Sequence, residues 1–237
     1  MPNYETIADT LASRLGLDIP PVALAFTSEA PAGVRTSDAV VPSACAFWRS
    51  AESGVFFAKA SDHFNCPVGA MVMGFDLPES VSAELMELVG KMTACGYISS
   101  DEPANIPVNK NRADGIVYGP LAMFPVQPDA VLLWLKPAQA MIWSEASGGA
   151  DWSCGTPTAV FGRPACAAIP ASLGGGQPTI SLGCIGMRTF TGIGEDRLLA
   201  VVPGERLDAF AEALGKSRSV NDAMQEFYEG RKRAIVG

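Results

Sequence analysis

Four landmarks occur twice in this chain, in the same order, and any fold must accommodate both sets. An apolar run, Val22 to Phe26, is matched by Val131 to Leu135. An Ala-Cys-Ala tripeptide centred on Cys45 is matched by one centred on Cys166. Cys66 is followed by Gly74, and Cys184 by Gly192, eight residues on in both cases. A helical segment running from Pro78 to Gly90-Lys91 is matched by one running from Pro203 to Gly215-Lys216, which sets Leu85 and Val89 against Phe210 and Leu214. The recurrence predicts two duplicated halves, residues 1–115 and 116–237, related by approximate twofold symmetry. The second half carries an additional C-terminal helix, and the two halves can equally be one intertwined domain.

Local patterning gives the fold class. Tyr4 to Leu15 places Ile7, Leu11 and Leu15 at helical spacing, and Pro20-Pro21 ends that helix. Short apolar runs at Val22 to Phe26, Gly54 to Lys59, Gly119 to Phe124, Ala130 to Leu135 and Leu198 to Val202 read as strands. A helix is expected to begin at Cys45, another over Leu77 to Lys91 with Leu85 and Val89 facing inward, another after Pro203, and a last one over Val220 to Ala234. The glycine-rich stretch Leu173 to Gln177 reads as a loop. Alternation of strands and helices predicts an α/β or α+β fold, a mixed sheet with flanking helices.

Charge narrows the partners. A net charge of -8 with pI near 4.7 disfavours nucleic acid and anionic membranes, which need clustered Lys and Arg. The short run Arg231 to Arg233 reads as the favourable end of a helix. No apolar stretch is long enough for a membrane span, and the first sixteen residues read as an amphipathic helix, so a cytoplasmic location is expected.

In such a compartment the six cysteines are expected to be reduced. If the halves pack about a twofold axis, Cys45 and Cys66 meet Cys166 and Cys184. Four converging thiolates are soft donors suited to an iron–sulfur cluster, of the 4Fe–4S type, or to zinc. Pro67 after Cys66 and the glycines flanking Cys184 lean toward the cluster, and the absence of a Cys-x-x-Cys pair leans away from zinc. A reversible disulfide such as Cys45 with Cys66 is a further reading, and Cys95 and Cys154 read as packing residues.

His63, the only histidine, could bind haem axially, donate a proton or sit in an ordinary structural role. Arg163 and Arg188 flank the second cysteine pair and Arg49 follows Cys45. A guanidinium suits two-point contact with a carboxylate or phosphate, or a plain salt bridge. The segment Trp143 to Gly149 is a candidate ligand loop. No nucleotide motif occurs.

Gly162-Arg163-Pro164-Ala165-Cys166-Ala167-Ala168, then Ser181-Leu182-Gly183-Cys184, Arg188 and Gly192, with Cys66-x-x-Gly69 and Pro203-Gly204, resemble the signature of the domain-of-unknown-function 169 family from about Pro21 to Leu214. The resemblance implies roles for Cys66, Arg163, Cys166, Cys184 and Arg188 and supplies no chemistry. Two functions are thus expected. The first is a cluster-binding protein with a redox or small-anion-activating role, which as an enzyme would be an oxidoreductase acting with a redox partner. The second is a non-enzymatic protein that binds a small anion or haem. Either is compatible with a homo-oligomer.

Overall fold

A computed structural model describes residues 3–148 and 158–236. Cys154 and Gly149, the end of the candidate ligand loop, lie outside them. A seven-stranded mixed sheet organises the chain. Its strands are β1 (Val22–Thr27), β2 (Phe56–Lys59), β3 (Gly115–Pro120), β4 (Ala130–Leu135), β5 (Ala159–Phe161), β6 (Thr179–Ser181) and β7 (Leu198–Pro203). They lie in the order β2-β3-β1-β4-β7-β6-β5, with only β5 and β6 parallel.

The central strands are apolar at nearly every position because both faces of the sheet are covered. Alternation sorts their side chains. Val22 and Leu24 of β1, Ile116 and Tyr118 of β3, Leu132 and Trp134 of β4, and Leu199 and Val201 of β7 enter one core. Ala23, Val117, Val131, Leu133, Ala200 and Val202 enter the other. The second core is closed by α1 (Tyr4–Leu15), α5 (Pro137–Ala146) and α8 (Leu207–Val236), through Leu11, Trp143, Phe210 and Leu214. The first is closed by short helices, α2 (Ala46–Ser50), α3 (Pro67–Val72), α6 (Ala168–Gly175) and α7 (Ile185–Thr191). Helix α4 (Glu79–Ala94) packs on α3.

The sheet reads outward from its centre as β1, β3, β2 on one side and β4, β7, β6, β5 on the other. Cys45 and Cys66 bracket β2, and Cys166 and Cys184 bracket β6. Both β3 and β7 end in proline and run into a 3-10 turn, at Leu121–Met123 and Gly204–Arg206. Pro78 stands directly before α4, whereas Pro203 ends β7 and is followed by the 3-10 turn that leads into α8. A boundary after residue 115 falls inside β3, which pairs with β1 and β2.

Other segments depart from expectation for physical reasons. The strand expected over Gly119 to Phe124 lies earlier, at β3, because the 3-10 turn after Pro120 takes the last apolar residues. Gly174 and Gly175 belong to α6, and only Gly176, at φ +57°, ends it. The two helices expected after Pro203 are one continuous α8 that passes through Gly215. Helix α4 buries none of its residues fully; Leu85 and Val89 are half-buried. No helix among the described residues is long and apolar enough to cross a membrane.

Candidate functional site

The four recurring cysteines lie on one face of the sheet, each at the start of a helix. Cys45 precedes α2, Cys66 caps α3, Cys166 sits in a 3-10 turn leading into α6, and Cys184 caps α7. The helices interlock across the centre of the sheet. α2 packs on α7, and α3 packs on the turn that carries Cys166. Each contact joins a cysteine-bearing segment from before β4 to one from after it. The thiols are near enough that charge on Cys66 or Cys184 would oppose ionisation of Cys45, charge on Cys184 that of Cys66, and charge on any of the three that of Cys166.

Two of the thiols occupy an N-capping position normally taken by an oxygen. Gly69 donates its backbone N–H to Cys66 Sγ at 3.4 Å, and Met187 donates to Cys184 Sγ at 3.4 Å. Such bonds favour the thiolate. Cys45 and Cys166 lie deeper, buried in the core that also holds Phe47, Trp48 and Met187. Burial pushes the Cys45 thiol up to about 12, although a 3.0 Å contact with the Ser43 hydroxyl pulls it the other way. Burial raises Cys166 well above its usual value and raises Cys66 as well, and neighbouring thiols add to both. Burial thus favours the neutral thiol at Cys45, Cys66 and Cys166.

Close packing defines the pocket wall. A Cβ on Gly69 would stand 2.9 Å from the Ala44 Cβ and 3.1 Å from Cys66 Sγ. Glu84 of α4 is close enough for its charge to raise the Cys66 thiol. Beyond α4, the Tyr97 ring lies under the Arg163 guanidinium at 4.4 Å. This cation–π contact ties the segment after α4 to the loop before Cys166.

His63 does not join the thiols as a ligand. It is fully buried, and both ring nitrogens have protein partners. Nδ1 is 2.8 Å from the Lys59 carbonyl, which can only accept, so Nδ1 carries the proton. Nε2 then accepts from the Tyr118 hydroxyl at 3.0 Å. The ring packs against Phe47 and Phe75, with centroids 5.0 and 4.9 Å away. Desolvation holds its pKa down, at about 4. Tyr118 connects this dyad to the pocket. Burial raises its own pKa, and the charges of Cys45 and Cys166 would raise it further. Ser43 and Met187 carry no motif in the sequence although they lie within three residues of the cysteines they contact; Tyr118, on β3, is brought to the site by the folded sheet.

The arginines are committed elsewhere. Arg188 donates to three backbone carbonyls, of Leu182, Gly194 and Arg197, and so clamps the loop around α7. Arg49 forms an ion pair with Glu52. Trp143 is buried in the opposite core, its ring tilted against Phe210, so the candidate ligand loop begins as part of α5 on the other side of the sheet. Cys95 is exposed at the end of α4.

Among the described residues, no group of three or more His, Cys, Asp or Glu side chains stands in an arrangement that would hold a metal ion. The thiols share a pocket without closing on a common point. A family model, DUF169, described as uncharacterised ArCR, matches residues 10–213. No curated protein and no solved structure matches the chain.

Proposed function

The chain belongs to the uncharacterised DUF169 family, and on that premise we propose that Cys45, Cys66, Cys166 and Cys184 ligate one iron–sulfur cluster at the junction of two duplicated halves. The observation that carries the reading is the meeting of the four cysteine-bearing helix starts on one face of the sheet, where α2 packs on α7 and α3 packs on the turn that carries Cys166. Thiolate-only donor sets suit such clusters. A single ion such as zinc needs four sulfurs about 2.3 Å from one point, which the thiol positions do not supply. A cluster takes one thiolate at each of four irons, so its ligands stand farther apart.

The protein's own residues have definable roles. Gly69 and Met187 donate N–H groups to sulfur, which lowers the cost of thiolate charge. The apolar core that holds Phe47, Trp48 and Met187 would keep bulk water from the site. When bound, a cluster would supply one-electron redox chemistry, and the protein would act in the cytoplasm with a redox partner or on a small anion. The alternative of an anion cradle at Arg188 is weakened by the three carbonyls that this guanidinium already serves.

Anaerobically purified protein should be brown, with broad absorption near 400 nm and bound iron and sulfide. Serine at Cys166 should remove the colour while the circular dichroism stays native. Colourless, iron-free protein after anaerobic reconstitution with iron and sulfide overturns the reading and leaves the thiols as packing or as a dithiol couple.

A further inference from the structure

The last 22 residues of α8, 215–236, extend about 33 Å at the helical rise of 1.5 Å per residue. None of them is buried, and they lie beyond the segment that the family model matches. Their exposed side chains are not those of a solvated helix. Val220, Met224 and Phe227 are 63%, 44% and 58% exposed. With Ala223, Gly230, Arg231 and Ala234 they form one stripe at the i, i+3, i+4, i+7 spacing of a helix that packs against another helix. A shallow groove runs along this stripe beside Phe227, floored by Ala223, Gly230 and Ala234.

We propose that this helix pairs antiparallel with the same helix of a second copy of the chain, with Phe227 at the twofold axis. Two features of the stripe select a copy of itself in this orientation. The first is size. Residues equally far on either side of Phe227 face each other across such an axis, so Met224 meets the partner's Gly230 and Val220 meets the partner's Ala234. A large side chain meets a small one each time, as interdigitation requires. The second is charge. Asp222, Glu226 and Glu229 precede Phe227 or lie just after it, and Arg231, Lys232 and Arg233 follow. Antiparallel pairing lays Arg231, Lys232 and Arg233 of one helix along Asp222 and Glu226 of the other, Asp222 being also paired with Arg218 of its own helix. Arg231 lies over the partner's Ala223, between the partner's Asp222 and Glu226. A parallel pair would instead align like charges.

Light scattering on the full chain at increasing concentration should give twice the chain mass, and Phe227→Glu should return it to the chain mass without loss of helical circular dichroism. Register is read by oxidative cross-linking against the parental chain. Phe227→Cys should link to itself. Val220→Cys should link only when Ala234→Cys is also present. A chain mass at every concentration, a dimer untouched by Phe227→Glu, or self-linking by Val220→Cys alone would each overturn the proposal. The outcome is independent of whether the cysteine pocket binds a cluster.

Discussion

His63 should make the fold sensitive to acid, and because it is the only histidine its contribution can be isolated. The folded imidazole stays neutral down to about pH 4, where the free side chain protonates near 6.5. Between those values the unfolded chain holds the extra proton, so stability falls as pH falls. The gap is about 2.5 pH units, and at about 1.36 kcal/mol per unit it amounts to about 3 kcal/mol lost between pH 6.5 and pH 4. Desolvation also raises the half-buried Asp129 carboxyl, so the comparison must be with a variant that lacks only the imidazole. Glutamine at position 63 can donate to the Lys59 carbonyl and accept from Tyr118, but loses the ring contacts with Phe47 and Phe75. Urea denaturation of both proteins from pH 7 to pH 4 should show the parental advantage shrinking by about 3 kcal/mol. In parallel, the His63 ring protons should keep neutral chemical shifts until about pH 4. A difference between the two proteins that is flat with pH, or a ring titration near 6.5, would refute the tautomer and burial on which the reasoning rests.

Three further outcomes follow from the packing and the thiols. Gly69→Ala forces its new methyl against Ala44 and Cys66; the strain should cost about 1–3 kcal/mol and lower iron occupancy in reconstitution, whereas Gly54→Ala, in open space, should do neither. Gly204→Ala would place a carbon 1.7 Å from the Pro128 carbonyl oxygen, between backbone segments that cannot yield; a loss of about 3 kcal/mol, seen as a melting drop on the order of 10 °C, is expected. Iron-free protein should lose stability above pH 9, because unfolded cysteine ionises there and folded Cys45 does not until about pH 12; this is on the order of 4 kcal/mol over three pH units, and Cys45→Ala should flatten that part of the curve in urea titrations.

The parts of the fold legible in the sequence are those where burial is uniform. β1 and β4 are covered on both faces, so they stand out as apolar runs with no help from their neighbours. Helix α1 was legible for the opposite reason: it buries one side only, and Ile7, Leu11 and Leu15 mark that side. The glycines of α6 and α8 misled because a glycine ends a helix only where the backbone turns left-handed; Gly176 does so, and Gly215 carries on as helix. Leu85 and Val89 have the spacing of a core face, but α4 rests on α3 at the rim and only half-covers them. Recurrence pointed to Cys45, Cys66, Cys166 and Cys184 together. It could say nothing of the His63–Tyr118 contact, which joins residues 55 apart through a strand pairing that has no local pattern.

The interlocking of α2 with α7, and of α3 with the Cys166 turn, has a consequence for biosynthesis. During translation the segment bearing Cys45 and Cys66 emerges first and can pack on β3 and β4, but its partners α7 and the Cys166 turn are missing until they too have left the ribosome. For that interval its thiols are open to oxidants and stray ions. Contacts this distant along the chain also form slowly. A nascent chain stalled before residue 184 should therefore be readily alkylated at Cys45, and the finished chain should resist the same reagent.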